Sequence, residues 1–180
     1  MNQVPALNDH LTDEARWRLW RLSTGAMSPL VLRGAPKACQ QAEQALCEQA
    51  REEGYTTLQI DASASCDVLA TLRDQAAALT AAELGEAVVR LASWQWADYL
   101  DDLHEITDRP TLIVVSALDA IADRPNPDVV CASLRSAIQQ RRKWLYLVLS
   151  GVAHGALARW LQDHSHPIYE LGPVEYLRGE

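Results

Sequence analysis

Gly34-Ala35-Pro36-Lys37-Ala38-Cys39-Gln40-Gln41 follows the apolar run Pro29-Leu30-Val31-Leu32-Arg33 and opens a stretch rich in Ala, Gln and Glu. A buried strand, a glycine turn and a helix in that order can build a phosphate-gripping loop. Backbone N–H groups and the helix N-terminus hold the anion, a lysine neutralises its outer oxygens, and an adjoining hydroxyl binds Mg²⁺. The sequence pattern for this chemistry is G-x-x-x-x-G-K-[ST]. Begun at Gly34, it places Cys39 at the second glycine, Gln40 at the lysine and Gln41 at the hydroxyl. Cys39 lacks the freedom of glycine at positive φ. Gln40 carries no charge. Lys37 stands three positions ahead of the lysine position and is expected to point to solvent.

Hydrolysis of a nucleotide needs a second component, an apolar strand ending in Asp and often followed by Glu. The Asp holds Mg²⁺ and the Glu polarises the attacking water. The corresponding run here is Leu112-Ile113-Val114-Val115-Ser116-Ala117, with Ser116 at the Asp position and Ala117 at the Glu position. Asp119 lies two residues further on, at the start of a loop. A third component is a polar residue ending the neighbouring strand, and Ser150 in WLYLVLS fills that place. Gly34, Pro36, Lys37, Gln40, Gln41, Ser116, Asp119 and Ser150 are thus the positions that would face a nucleotide. They form a vestigial set to which no catalytic residue is assigned. Loss of the lysine, the hydroxyl and both acids removes groups often worth several kcal/mol each to a transferring phosphate.

Other residue patterns suggest less chemistry. His164-Ser165-His166 has only Asp163 beside it as a third ligand, so a solvated loop is expected and no metal site. Ser150-Gly151 lacks the flanking glycine of G-x-S-x-G, which argues against a hydrolase triad. Cys39, Cys47, Cys66 and Cys131 form no CxxC pair and are expected as reduced cytoplasmic thiols.

The elements that must position these residues alternate along the chain. Residues 9–23 show helical apolar spacing, with Trp17 and Trp20 among them. Strands are expected at 29–33, 55–61, 111–115, 144–150 and 167–171, the last ended by Gly172-Pro173. Helices are expected at 36–53, with Pro36 in its first turn, at 128–142 and at 153–163. Residues 65–104 read as two helices broken near Thr80. Arg141-Arg142-Lys143 suits the C-terminal end of a helix, where the dipole favours cations. Such alternation predicts an α/β fold with a mainly parallel sheet and helices on both faces. With no repeat or linker, one domain over 1–180 is expected, with an N-terminal helix and a core at about 28–177.

The pieces LVLRGAP (30–36), TLIVVSALDAI (111–121), LVLSGVAHGALARWL and PIYELGPVEYL (167–177) occur in an order that resembles the P-loop ATPases of the AAA+ and STAND group, especially the archaeal-type ATPases. The resemblance implies a three-layer αβα sandwich whose five strands run 5-1-4-3-2, with the loop after strand one at its centre. The family carries a helical lid after the last strand, and a chain ending at Glu180 is expected to be without one.

Composition bounds what such a domain does. With 180 residues and 48% hydrophobic residues, a folded core is expected. No run is long enough to span a membrane, and the polar N-terminus is not expected to be a secretory signal. A net charge of −8 argues against nucleic acid as a partner. The six Trp and no Phe put aromatic burial on Trp and Tyr, and Trp17, Trp20, Trp94 and Trp96 are candidates for a partner-binding surface. The acidic run Asp98, Asp101, Asp102 and Glu105 is expected as a solvated helix face. These readings describe a cytoplasmic bacterial pseudo-ATPase with no cofactor. It is expected to act as an adaptor or regulatory subunit beside another protein, such as an active ATPase or a complex subunit. A regulator that binds ATP without hydrolysing it, and a DNA-associated helper of a mobile element, are the alternatives.

Overall fold

The computed structural model describes residues 29–84 and 95–177. Its core is a five-stranded parallel sheet: β1 (Leu30–Gly34), β2 (Thr56–Asp61), β3 (Thr111–Ser116), β4 (Leu145–Val152) and β5 (Val174–Leu177), in spatial order β2-β3-β4-β1-β5. Read from the other edge, this is the order 5-1-4-3-2 implied by the resemblance. The helices are α1 (Pro36–Glu52), α2 (Val68–Leu84), α3 (Trp96–Thr107), α4 (Pro127–Gln140) and the short α5 (Ala156–Trp160), with a 3₁₀ turn at Leu118–Ile121. No helix among the described residues is long and apolar enough to cross a membrane.

Strand residues alternate between two cores, as a pleated sheet requires. Leu30 and Leu32 of β1, Leu112 and Val114 of β3, and Tyr146 and Val148 of β4 pack with Ala42, Leu46 and Ala50 of α1. Val31, Ile113, Val115, Leu147 and Leu149 pack on the opposite face with residues of α2, α3, α4 and α5. β3 and β4 are buried on both faces, which explains their unbroken apolar runs.

The last strand differs from the sequence expectation. Residues 167–171 are turns: Tyr169 N–H donates to His166 O at 3.0 Å and Leu171 N–H to Ile168 O at 3.1 Å. Gly172-Pro173 leads into the strand rather than ending it. Val31 N–H donates to Pro173 O at 3.0 Å, and the ladder continues from Val31↔Val174 to Gly34↔Leu177. The expected 153–163 helix shrinks to α5 because β4 extends to Val152 and a turn follows. Thr80 does not break α2, since its hydroxyl donates to Ala76 O at 2.9 Å within the helix.

The expected partner surface changes too. Trp17, Trp20 and Trp94, like the 9–23 helix, lie outside the described residues. Trp96 is buried at 7% exposure, and its indole N–H donates to Ser133 Oγ at 2.6 Å. It therefore joins α3 to α4 and offers no ring to a partner. The acidic face is likewise only partly solvated. Asp102 is buried, and Asp101 pairs with Arg141, the residue capping α4. His166 is also buried, stacked on Trp160 with ring centroids 4.8 Å apart and its Nε2 3.2 Å from Asp128. Burial lowers its pKa by disfavouring the imidazolium. Among the described residues no cluster of three or more His, Cys, Asp or Glu could hold a metal ion.

Candidate functional site

Parallel strands open a crevice where their C-terminal ends diverge to helices on opposite faces. Here β1 continues into α1 while β3 and β4 lead to the other layer. A cleft of about 550 Å³ lies between them. Its lining includes Glu43, Ser116, Ser150, Asp61, Gln59 and Gln40.

The connection from β1 to α1 is a single residue, Ala35. Pro36 has no N–H, and Cys39 N–H donates to Ala35 O at 3.0 Å. Lys37 and Ala38 are the first-turn amides that the helix leaves without an acceptor. Gln40 and Gln41 are the fifth and sixth residues of α1, beyond its first turn. Both are exposed, as is Lys37, but of the three only Gln40 lines the cleft. Gly34 is explained by its neighbour: a Cβ there would stand 2.0 Å from Leu177 O on β5.

The residue that organises the cleft is Glu43, which the sequence reading did not single out. It faces inward from α1, is 2% exposed, and accepts a hydrogen bond from Ser116 Oγ at 2.6 Å. Burial raises its pKa above the ordinary carboxylate value, Ser116 and Ser150 act to lower it, and Asp61 raises it further. Its Oε1 has no hydrogen-bond partner. The signal available in the sequence was helical: Glu43 shares a stripe of α1 with the buried Cys39, Leu46 and Cys47.

Ser150 Oγ accepts the N–H of Ala117 at 3.2 Å, holding the turn after β3, where Ala117 is left-handed at φ 51°. Asp119 is not part of the lining. Its carboxylate accepts Val152 N–H at 2.7 Å and Leu157 N–H at 2.8 Å, fastening the turn between β4 and α5. Cys39 Sγ lies 3.9 Å from Gly151 O, and burial, with Glu43 and Asp119 nearby, pushes its thiol up to about 11. It is a neutral wall, not a nucleophile.

The cleft thus joins Pro36, Gln40, Ser116 and Ser150 from the sequence set and leaves out Gly34, Lys37, Gln41 and Asp119. Among the described residues, no Lys, Arg or His lines it.

The five-stranded parallel sheet flanked by helices is the fold of the P-loop NTPases. Solved structures that share it include the Walker-type ATPase of Pyrococcus abyssi, at 13% identity and a TM-score of 0.61, covering 94% of this chain and 54% of that one. The Aeropyrum pernix ORC2 protein in ADPNP–ADP complexes matches at 15% identity and a TM-score of 0.61, covering 98% and 50%. The Aeropyrum pernix ORC1 protein in complex with DNA matches at 15% identity and a TM-score of 0.54, covering 97% and 47%. The chain spans about half the length of these three proteins. No family model and no curated relative matches it.

Proposed function

We propose that this protein is a catalytically silent P-loop-type domain that works through contacts with another protein, as an adaptor or regulatory subunit. The observation that carries the reading is the buried Glu43 at the floor of the cleft, hydrogen-bonded to Ser116. In an active site of this fold, the helix supplies a hydroxyl and the strand supplies the acid, and Mg²⁺ lies between them. Here the helix supplies the carboxylate and the strand the hydroxyl, and the two bond to each other. Among the described residues, two carboxylates and no cation would face a triphosphate. The one-residue link between β1 and α1 offers few amides to wrap it.

The test is turnover and binding of Mg·ATP by purified protein. We expect no phosphate release above the buffer blank, no binding heat, and no change in Lys37→Ala. Turnover that Lys37→Ala abolishes would end this reading. Affinity capture with the full chain from its native host then identifies the partner.

A second reading is a DNA-associated role, favoured by solved neighbours of this fold that are bound to DNA. The expectation from net charge alone finds no support in those neighbours. A gel-shift titration at two salt concentrations separates the readings, because phosphate contacts weaken steeply with salt.

A further inference from the structure

We propose that the cleft beside α1 binds a small organic cation, an alkyl-ammonium or alkyl-guanidinium, through Glu43 and Asp61. This rests on the reading above that the cleft is not a magnesium–triphosphate site. Three observations carry it.

The first is the unsatisfied oxygen. Glu43 is 2% exposed, and Ser116 occupies only its Oε2. Oε1 has no partner, and a buried acceptor left so costs its desolvation without return. An N–H donor entering the deep end of the cleft supplies the missing bond.

The second is charge. Asp61, at the end of β2, forms the exposed rim. Ser63 donates to its Oδ1 from its N–H at 2.8 Å and from its hydroxyl at 2.6 Å. These bonds hold Asp61 below the usual carboxylate range, so it is ionised at neutral pH. With no basic residue among the described residues of the lining, the field inside favours a cation.

The third is shape and donor set. Pro36, Cys39, Ala117 and Val152 form apolar wall beside the polar floor, suited to an alkyl stem behind a charged head. A bare metal ion fits poorly, because among the described residues no group of three or more acidic, His or Cys ligands converges. An ammonium or guanidinium needs only separate acceptors for its N–H groups.

The probes are agmatine and putrescine, titrated calorimetrically into the full chain at low salt, with Mg·ATP titrated in parallel. Agmatine is expected to bind, with affinity reduced about tenfold or more by Glu43→Gln and several-fold by Asp61→Asn. Asp61 is exposed, so its variant tests the proposal even if the Glu43 variant does not fold. No heat with either amine at about 10 mM overturns the proposal and leaves the proposed function standing. Agmatine binding unchanged in Asp61→Asn and in folded Glu43→Gln overturns it as well. Binding of Mg·ATP instead overturns both.

Discussion

Ser116 Oγ and Glu43 Oε2 lie 2.6 Å apart, joining the end of β3 to the first half of α1 across the switch point of the sheet. This bond ties α1 to the end of β3. It also sets a pH dependence. Burial raises the Glu43 pKa above its ordinary 4.5, so the folded state holds this proton more tightly than the unfolded chain. Stability from the protonated form is therefore fully present below about pH 4.5 and is lost as pH rises through the folded pKa. Glu43→Gln keeps an acceptor for Ser116 and has no charge to bury. We expect it to melt about 2–4 °C above wild type at pH 7, equivalent to about 1 kcal/mol, with the gap closing near pH 4. A pH series of thermal melts checks this, and a variant equally destabilised at every pH contradicts it.

Gly34 is held to glycine by β5. An added Cβ meets Leu177 O at 2.0 Å and Leu177 C at 2.9 Å, both rigid backbone atoms of a paired strand. Gly34→Ala must therefore push β5 from β1. The expected loss is about 2–4 kcal/mol, in the range of other severe steric changes in packed regions. Urea denaturation reads it directly. A neutral result would place the strands further apart than described.

Asp119 is predicted to be structural. Its two oxygens take the N–H groups of Val152 and Leu157, and they approach so closely that only glycine fits at 151 and 155. Asp119→Ala strands both donors and should cost about 1–3 kcal/mol. Asp119→Asn, which retains one carbonyl acceptor, should fall between. Chemical denaturation of the three proteins orders them, and equal stabilities would refute the assignment.

The helices and central strands were legible because their causes are local. The runs of β3 and β4 are apolar throughout because both faces are covered, and Pro36 starts α1 where a missing N–H costs nothing. The last strand was misplaced because Ile168, Tyr169 and Leu171 carry β propensity, while the segment that pairs with β1 begins after Gly172, whose missing Cβ lets the backbone pass close to Pro29 O. Glu43 was passed over for a related reason. An acid on an Ala- and Gln-rich helix reads as a solvated residue, and only the sheet shows that its turn faces Ser116 and Ser150. Trp96 shows the opposite error, a large ring taken for a contact surface that closes the core through Ser133.

Restoring side chains alone should not restore nucleotide binding. The triple variant Cys39→Gly, Gln40→Lys, Gln41→Thr recreates the motif residues in the sequence. Yet Gln40 and Gln41 sit beyond the first turn of α1, and Ala35 alone separates β1 from the helix. A phosphate loop needs its lysine and hydroxyl at the helix N-terminus and several amides curved around the anion. Glu43 and Asp61 would still face the phosphates. We expect no Mg·ATP heat from the triple variant at millimolar nucleotide. Binding is expected only if the link after Gly34 is lengthened and Glu43 is neutralised as well. Micromolar affinity from the three side-chain changes would mean that charge, and not loop geometry, is what separates this cleft from an ATP site.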